Sequence, residues 1–253
     1  MFQVAAAVIQ SREKGGQVVL PLEQPHIHKT QTVSYEETVF KDFPLRMQCF
    51  VDDAAVHALC IHKFVKYPGE PGFEPWSTIE TSSNLLLHGY FQYYPPIGRH
   101  EEFIRSLYLR GLEQYLTAPN DPTCIGIHVR RGDFVKFADI HYLQDESYYK
   151  AALDQIVKPT NVHYKLFSDD LEWCKQQSVF QTLSNLEYVD ETDEIKTLAL
   201  MTQCHGGFVC ANSTFSWWGA FLGAHMVRAP VVVPNAWMKG YNGDLFPPEW
   251  KQI

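Results

Sequence analysis

From Thr123 onward the sequence alternates between short apolar runs and longer helix-forming stretches, and nothing else in it constrains the fold as strongly. The runs are CIGIHV, VHYKLFS, LEYV, GFVCA and PVVVP; between and after them lie helical stretches at roughly 146–157, 170–177, 193–203 and 213–225. Nearly continuous apolar strands are those buried on both faces, which requires helices returning across each face of a parallel sheet. The expected class is therefore α/β, with a Rossmann-like parallel sheet in the C-terminal half. Sheets of this kind bind ligands outside the carboxyl ends of their strands, so the residues that follow each run are where chemistry is expected.

The N-terminal half is less regular. MFQVAAAVIQSREK is rich in helix formers and stops at Gly15-Gly16, after which residues 17–20 read as a short strand. Residues 25–80 show no strong period and contain Pro68, Pro71 and Pro75, which predicts irregular structure around short elements. NLLLHGYF, at 84–91, reads as a buried strand ended by Pro95-Pro96. The following EEFIRSLYLRGLEQYL reads as a helix with Phe103, Leu107 and Leu116 facing inward.

Bulk properties narrow the partners. A formal net charge of -8 argues against a nucleic-acid-binding protein, because phosphate backbones demand a positive face, so an anionic ligand must be held by a local cluster. The six cysteines form no C-x-x-C pair, and only Cys204-His205 and Cys60-x-His62 come near zinc-ligand spacing. Buried free thiols and no metal site are expected. No run approaches the ~18 apolar residues of a spanning helix, and the first residues lack the basic start of a signal peptide. As written, the chain reads as soluble and cytoplasmic. The sequon Asn212-Ser213-Thr214 sits in an apolar segment and says little about secretion.

Three segments at strand ends carry ligand-type residues. His128-Val129-Arg130-Arg131-Gly132-Asp133 leaves the first run, and its adjacent guanidiniums can grip a diphosphate through paired, charge-assisted hydrogen bonds. Asp133 can orient an arginine or meet a sugar hydroxyl; a surface ion-pair cluster is the alternative. Ser168-Asp169-Asp170 ends the second run and is equally readable as a helix N-cap. Asn212, Ser213, Thr214, Phe215 and Ser216 follow GFVCA, where amides and hydroxyls at a helix start favour an anion. Phe215, Trp217 and Trp218 can wall a base or sugar, or can simply be core. Gly219, Ala220, Gly223 and Ala224 let that helix pack close to the sheet.

Taken together, HVRRGD, FSDDLEWC, LALMTQC and ANSTFSWWGA closely resemble the corresponding motifs of α-1,2-fucosyltransferases, over most of residues 85–235. The resemblance implies a GT-B-like glycosyltransferase with GDP-β-L-fucose as donor and a galactose-terminated glycan as acceptor. It also implies inversion to an α-1,2 linkage with no metal or other cofactor. Arg130 and Arg131 would contact the diphosphate with His128 beside them, while Asp133, Ser168 to Asp170 and Asn212 to Ser216 line the nucleotide-sugar pocket. Residues 1–118 would form the acceptor-side portion and 119–253 the donor-binding half. Family members usually begin with a strand and a Gly-Gly-x-Gly-Asn-Gln loop leading into Met-Phe-Gln. The chain starts at Met1-Phe2-Gln3, so that loop is expected to be absent, and a Golgi or membrane-associated location is the alternative if a segment precedes it. A catalytically impaired nucleotide-sugar-binding protein of the same fold is the alternative function.

Overall fold

The computed structural model describes residues 1–21, 35, 38–48, 61–64, 85–117, 119–241 and 243–253. The chain divides into two compact units, 1–110 with 240–247, and 111–239 with 248–253.

In the first unit, helix α1 (Phe2–Lys14) buries Phe2, Val4, Ala5, Ala6, Val8 and Ile9. It ends where Gly15 takes φ 83°, a conformation that needs no Cβ, and the Gly15 N–H closes on the Ser11 carbonyl at 2.9 Å. Two strand pairs follow, both parallel: β1 (Val18–Pro21) with β2 (Leu45–Gln48), and β3 (Ile61–Phe64) with β4 (Leu85–His88). Strands β2 and β3 fall in the stretch where the sequence has no period. They are four residues long and polar at Arg46, Gln48, His62 and Lys63, too short for alternation to register. Pro95 and Pro96 do not merely end the strand before them; they open helix α2 (Tyr94–Arg99), where a fixed φ and a missing N–H cost nothing. Helix α3 (Glu101–Leu112) buries Ile104, Leu107, Tyr108 and Leu112 on one stripe, whereas Phe103 and Leu116 are only half-buried. Phe43 packs edge-on against Tyr108 at 4.7 Å.

The second unit is a six-stranded sheet made of β5 (Cys124–Val129), β6 (His163–Ser168), β7 (Leu186–Tyr188), β8 (Gly207–Val209), β9 (Val231–Val233) and β10 (Lys251–Gln252). Their spatial order is β10-β9-β8-β5-β6-β7, with every neighbouring pair parallel. The order reverses between β5 and β8, which sets the ligand crevice of such a sheet at their carboxyl ends. All six residues of β5 are buried. Gly126 is required there, because a Cβ would collide with the Phe208 ring on β8.

The helices are α4 (Gly132–Lys136), α5 (Glu146–Gln155), α6 (Leu171–Gln176), α7 (Ser178–Gln181), α8 (Glu194–Thr202) and α9 (Thr214–Leu222). Aspartates cap three of them: Asp145 on α5, Asp170 on α6 and Asp193 on α8 each accept from first-turn N–H groups, worth about 1 kcal/mol apiece. Helix α5 stops at Gln155 rather than 157, with Ile156 already in extended backbone at φ −92° and ψ 122°. On one side of the sheet Ile125, Ile127, Tyr149, Leu153, Leu166 and Phe180 share a core. On α9, Gly219 and Gly223 allow close approach to α8 rather than to the sheet: added Cβ atoms would meet the Met201 side chain and the Thr202 backbone. Cys124, Cys174, Cys204 and Cys210 are buried free thiols, while Cys49 and Cys60 lie outside the described residues. No helix among the described residues is long and apolar enough to cross a membrane.

Candidate functional site

Strand β5 delivers Arg130 and Arg131 to the carboxyl edge of the sheet, beside the reversal. Arg130 spreads its fork over two carboxylates, with Nη2 donating to Asp133 Oδ1 at 2.6 Å and Nη1 lying 3.1 Å from Asp169 Oδ2. Its guanidinium also stands over the Phe134 ring at 5.6 Å. Arg131 pairs through Nε with Asp170 Oδ2 at 3.1 Å and lies 4.1 Å above the Trp173 ring. The Arg131 main-chain N–H donates to Asp169 Oδ1 at 2.8 Å, so one carboxylate ties both arginines to the β6 loop. Gly132 makes this possible: a Cβ there would land on the Asp169 carboxylate. Ser168 serves the same turn, its Oγ accepting from the Asp170 N–H at 2.9 Å.

His128 is buried between this cluster and α9, its ring centroid 5.8 Å from that of Phe215. Burial, helped by the Arg130 charge, pushes its imidazole down to about 3, and Nδ1 has no hydrogen-bond partner. A neutral buried histidine titrates in the unfolded chain near pH 6.5 but not in the folded one, so its contribution favours unfolding as pH falls below 6.5 and levels off near 3. We expect stability to drop by up to about 1.4 kcal/mol per pH unit from this group across that window. Urea melts between pH 7 and 4 on the parent and on His128→Asn measure the difference, and identical slopes would rule it out.

Helix α9 was expected to begin with an anion-facing set from Asn212 to Ser216, and the structure divides that set. Asn212 is neither the cap nor aimed outward. Its Nδ2 donates to the carbonyls of Tyr142 at 2.9 Å and Trp237 at 2.8 Å, clasping the loops after β5 and β9 to the loop after β8. Ser216 is buried, with Oγ accepting from the Ala211 N–H at 3.1 Å. Ser213 is the N-cap and supplies no cap hydrogen bond, while Thr214 and Phe215 are half-buried. Trp217 and Trp218 are core and wall no ligand: the first stacks on Phe221 at 4.7 Å, and both are at most 2% exposed. Asn212→Ala is accordingly expected to cost about 2 kcal/mol, more than a lost cap, because the buried Trp237 carbonyl and the partly buried Tyr142 carbonyl both lose their donor. Chemical denaturation reads this directly; a loss under 1 kcal/mol would contradict the clasp.

Two side chains at the cluster escaped the sequence reading. Phe134 and His141 stack at 3.9 Å with 7° between planes, and burial holds the His141 imidazole below its ordinary value against the pull of Asp133. The six residues between them give no motif, though an aromatic right after an Arg-Gly-Asp turn was a usable hint. Among the described residues, no three His, Cys, Asp or Glu side chains are grouped to hold a metal ion.

A parallel sheet with paired arginines at its switch point offers anchorage for an anionic ligand such as a diphosphate, and comparison with known proteins places the chain in a family. The family model for glycosyl transferase family 11 matches residues 50–253, and the chain belongs to that family. It is 29% identical over 138 residues to an alpha-1,2-colitosyltransferase of Escherichia coli, covering 51% of this chain and 47% of the relative. It is 26% identical over 156 residues to galactoside alpha-(1,2)-fucosyltransferase 1 of Bos taurus, covering 57% and 43%. The chain thus spans about half the length of the curated relatives it matches. Among solved structures it is similar to the fucosyltransferase NodZ from Bradyrhizobium, with TM-score 0.48, 14% identity and 88% of each chain covered.

Proposed function

We propose that the chain acts as a galactoside 2-α-L-fucosyltransferase, moving L-fucose from GDP-β-L-fucose to the 2-OH of a β-galactoside with inversion and without a metal ion. The observation that carries this reading is the pair of guanidiniums at the β5 end, oriented by Asp133, Asp169 and Asp170 beside the sheet's switch point. In the reaction, the acceptor oxygen attacks the fucose anomeric carbon from the face opposite GDP. The bond from that carbon to the β-phosphate oxygen breaks, and the electron pair leaves with GDP. Negative charge grows on the diphosphate, where donors already fixed in place stabilise it without reorganising. The acceptor proton passes to a base that we leave unassigned. His128, with its depressed basicity, is suited to packing or hydrogen bonding beside the arginines and poorly suited to taking that proton.

The test is a transfer assay with GDP-fucose and methyl β-D-galactopyranoside, the product linkage being read by NMR. We expect an α-1,2 product at an unchanged rate in excess EDTA. Loss of activity in EDTA that manganese restores would overturn the metal-free mechanism. Calorimetric binding of GDP-fucose without transfer would favour a nucleotide-sugar-binding protein. The likeness to a colitosyltransferase supports a second reading of the donor sugar alone, and competition between fucosyl and colitosyl donors separates the two.

A further inference from the structure

Half of the large apolar side chains exposed among the described residues come from one short stretch: Val135, Phe137, Ile140, Tyr142 and Leu143. Exposed apolar residues scattered singly need no explanation, but five drawn from one short stretch are a candidate binding surface. The backbone that presents them is fixed. The Phe137 carbonyl accepts from the N–H groups of Ile140 and His141, both at 2.9 Å. Lys239 grips the stretch twice, its N–H donating to the Ile140 carbonyl and its Nζ to the Ala138 carbonyl, each at 2.9 Å. Asn212 holds the Tyr142 carbonyl, and His141 is stacked on Phe134. A surface held this way loses little further conformational freedom when a ligand lands on it.

Continuity with the arginine cluster and the mixture of side chains indicate what the ligand is. The stretch starts one residue after Phe134, the ring over which Arg130 stands, so anything resting on it lies next to the diphosphate cluster. Charged Lys136 and Asp139 are exposed between the apolar residues, which suits neither a lipid surface nor a dry protein interface. It does suit a pyranose, which has an apolar face and a rim of hydroxyls. In a galactoside the axial 4-OH leaves the hydrogens on C3, C4 and C5 together on one face, and such a face lies well on an aromatic ring.

We propose that Phe137 and Tyr142 form the platform on which the acceptor galactoside rests, with Asn212 and Lys239 as positioning residues that hold the platform in place. The proposal rests on the transferase reading above for the identity of the sugar, while the experiment reads sugar binding independently of transfer. Saturation-transfer NMR with methyl β-D-galactopyranoside is run on the full chain, on Phe137→Ser, on Tyr142→Ser and on the double variant. GDP affinity by calorimetry and the thermal midpoint are measured on each. We expect a roughly 10-fold loss of galactoside signal in the double variant, as for a truncated aromatic contact, with GDP affinity and midpoint unchanged. Phe137→Tyr, which keeps a ring and the fold, is expected to retain the signal. An undiminished signal in the folded double variant overturns the platform, and so does a parent that binds GDP but never the galactoside. A parent that binds the galactoside through these rings but not GDP leaves the platform standing and contradicts the donor assignment instead.

Discussion

Arg130→Ala is expected to lower fucose transfer by ~10²–10³-fold, the size of effect seen when one preorganised transition-state donor is removed. Arg130→Lys is expected to fall between it and the parent, and to lower turnover more than it weakens GDP binding. The reason is geometric. Arg130 reaches Asp133 and Asp169 with two different nitrogens, and a lysine has only one to offer. The loss cannot be put down to unfolding, because Asp133 and Asp169 keep 43% and 26% of their side-chain surface exposed and ion pairs so placed contribute little to stability. Asp169 also keeps its bond to the Arg131 N–H when the Arg130 side chain is gone. Circular dichroism, then GDP affinity, then transfer rate should be measured in that order. Parental rates in Arg130→Ala and Arg131→Ala alike would remove the cluster from the mechanism.

The largest expected effect on stability comes from Trp217→Ala, at about 3–5 kcal/mol, or a fall in melting temperature on the order of 10 °C. Trp217 is 1% exposed and touches three aromatic rings: Trp218 at 4.9 Å, Phe221 at 4.7 Å and Trp250 at 5.6 Å. Deleting it leaves a cavity that those rings are too rigid to fill, whereas Trp217→Phe keeps the stack and should cost less. A loss under 1 kcal/mol for the alanine variant would mean that the site collapses freely and that α9 is not anchored by its tryptophans.

The second unit was legible because its signals are local. Strands buried on both faces show as apolar runs, and Asp170, which caps α6, sits just behind one of them. The arginine pair was legible for the same reason, being adjacent in the chain and next to a strand end. What escaped depends on partners far away in sequence. Asn212 has the look of a helix cap, and only its contacts with Tyr142 and Trp237, 70 and 25 residues distant, reveal a clasp. The tryptophans of α9 were left open between pocket and core because aromatic identity alone does not say which way a helix faces. Short pairs such as β2 and β3 carry too few residues for a period, and the return of 240–247 to the first unit leaves no mark in composition.

Under the proposed transfer reaction, the carboxylates around Arg130 and Arg131 bear on product departure. Two guanidiniums face three carboxylates, those of Asp133, Asp169 and Asp170, so the group carries one formal negative charge in excess before any ligand arrives. A lone monovalent anion gains little by entering, since each cation already has a counterion at contact distance. A ligand with two linked phosphates can engage both forks at once, and is favoured over simple salts for that reason. In the proposed transfer, once the sugar has gone the aspartates would compete with the spent diphosphate for the same N–H groups, so the device that keeps the arginines aligned would also loosen the hold on GDP.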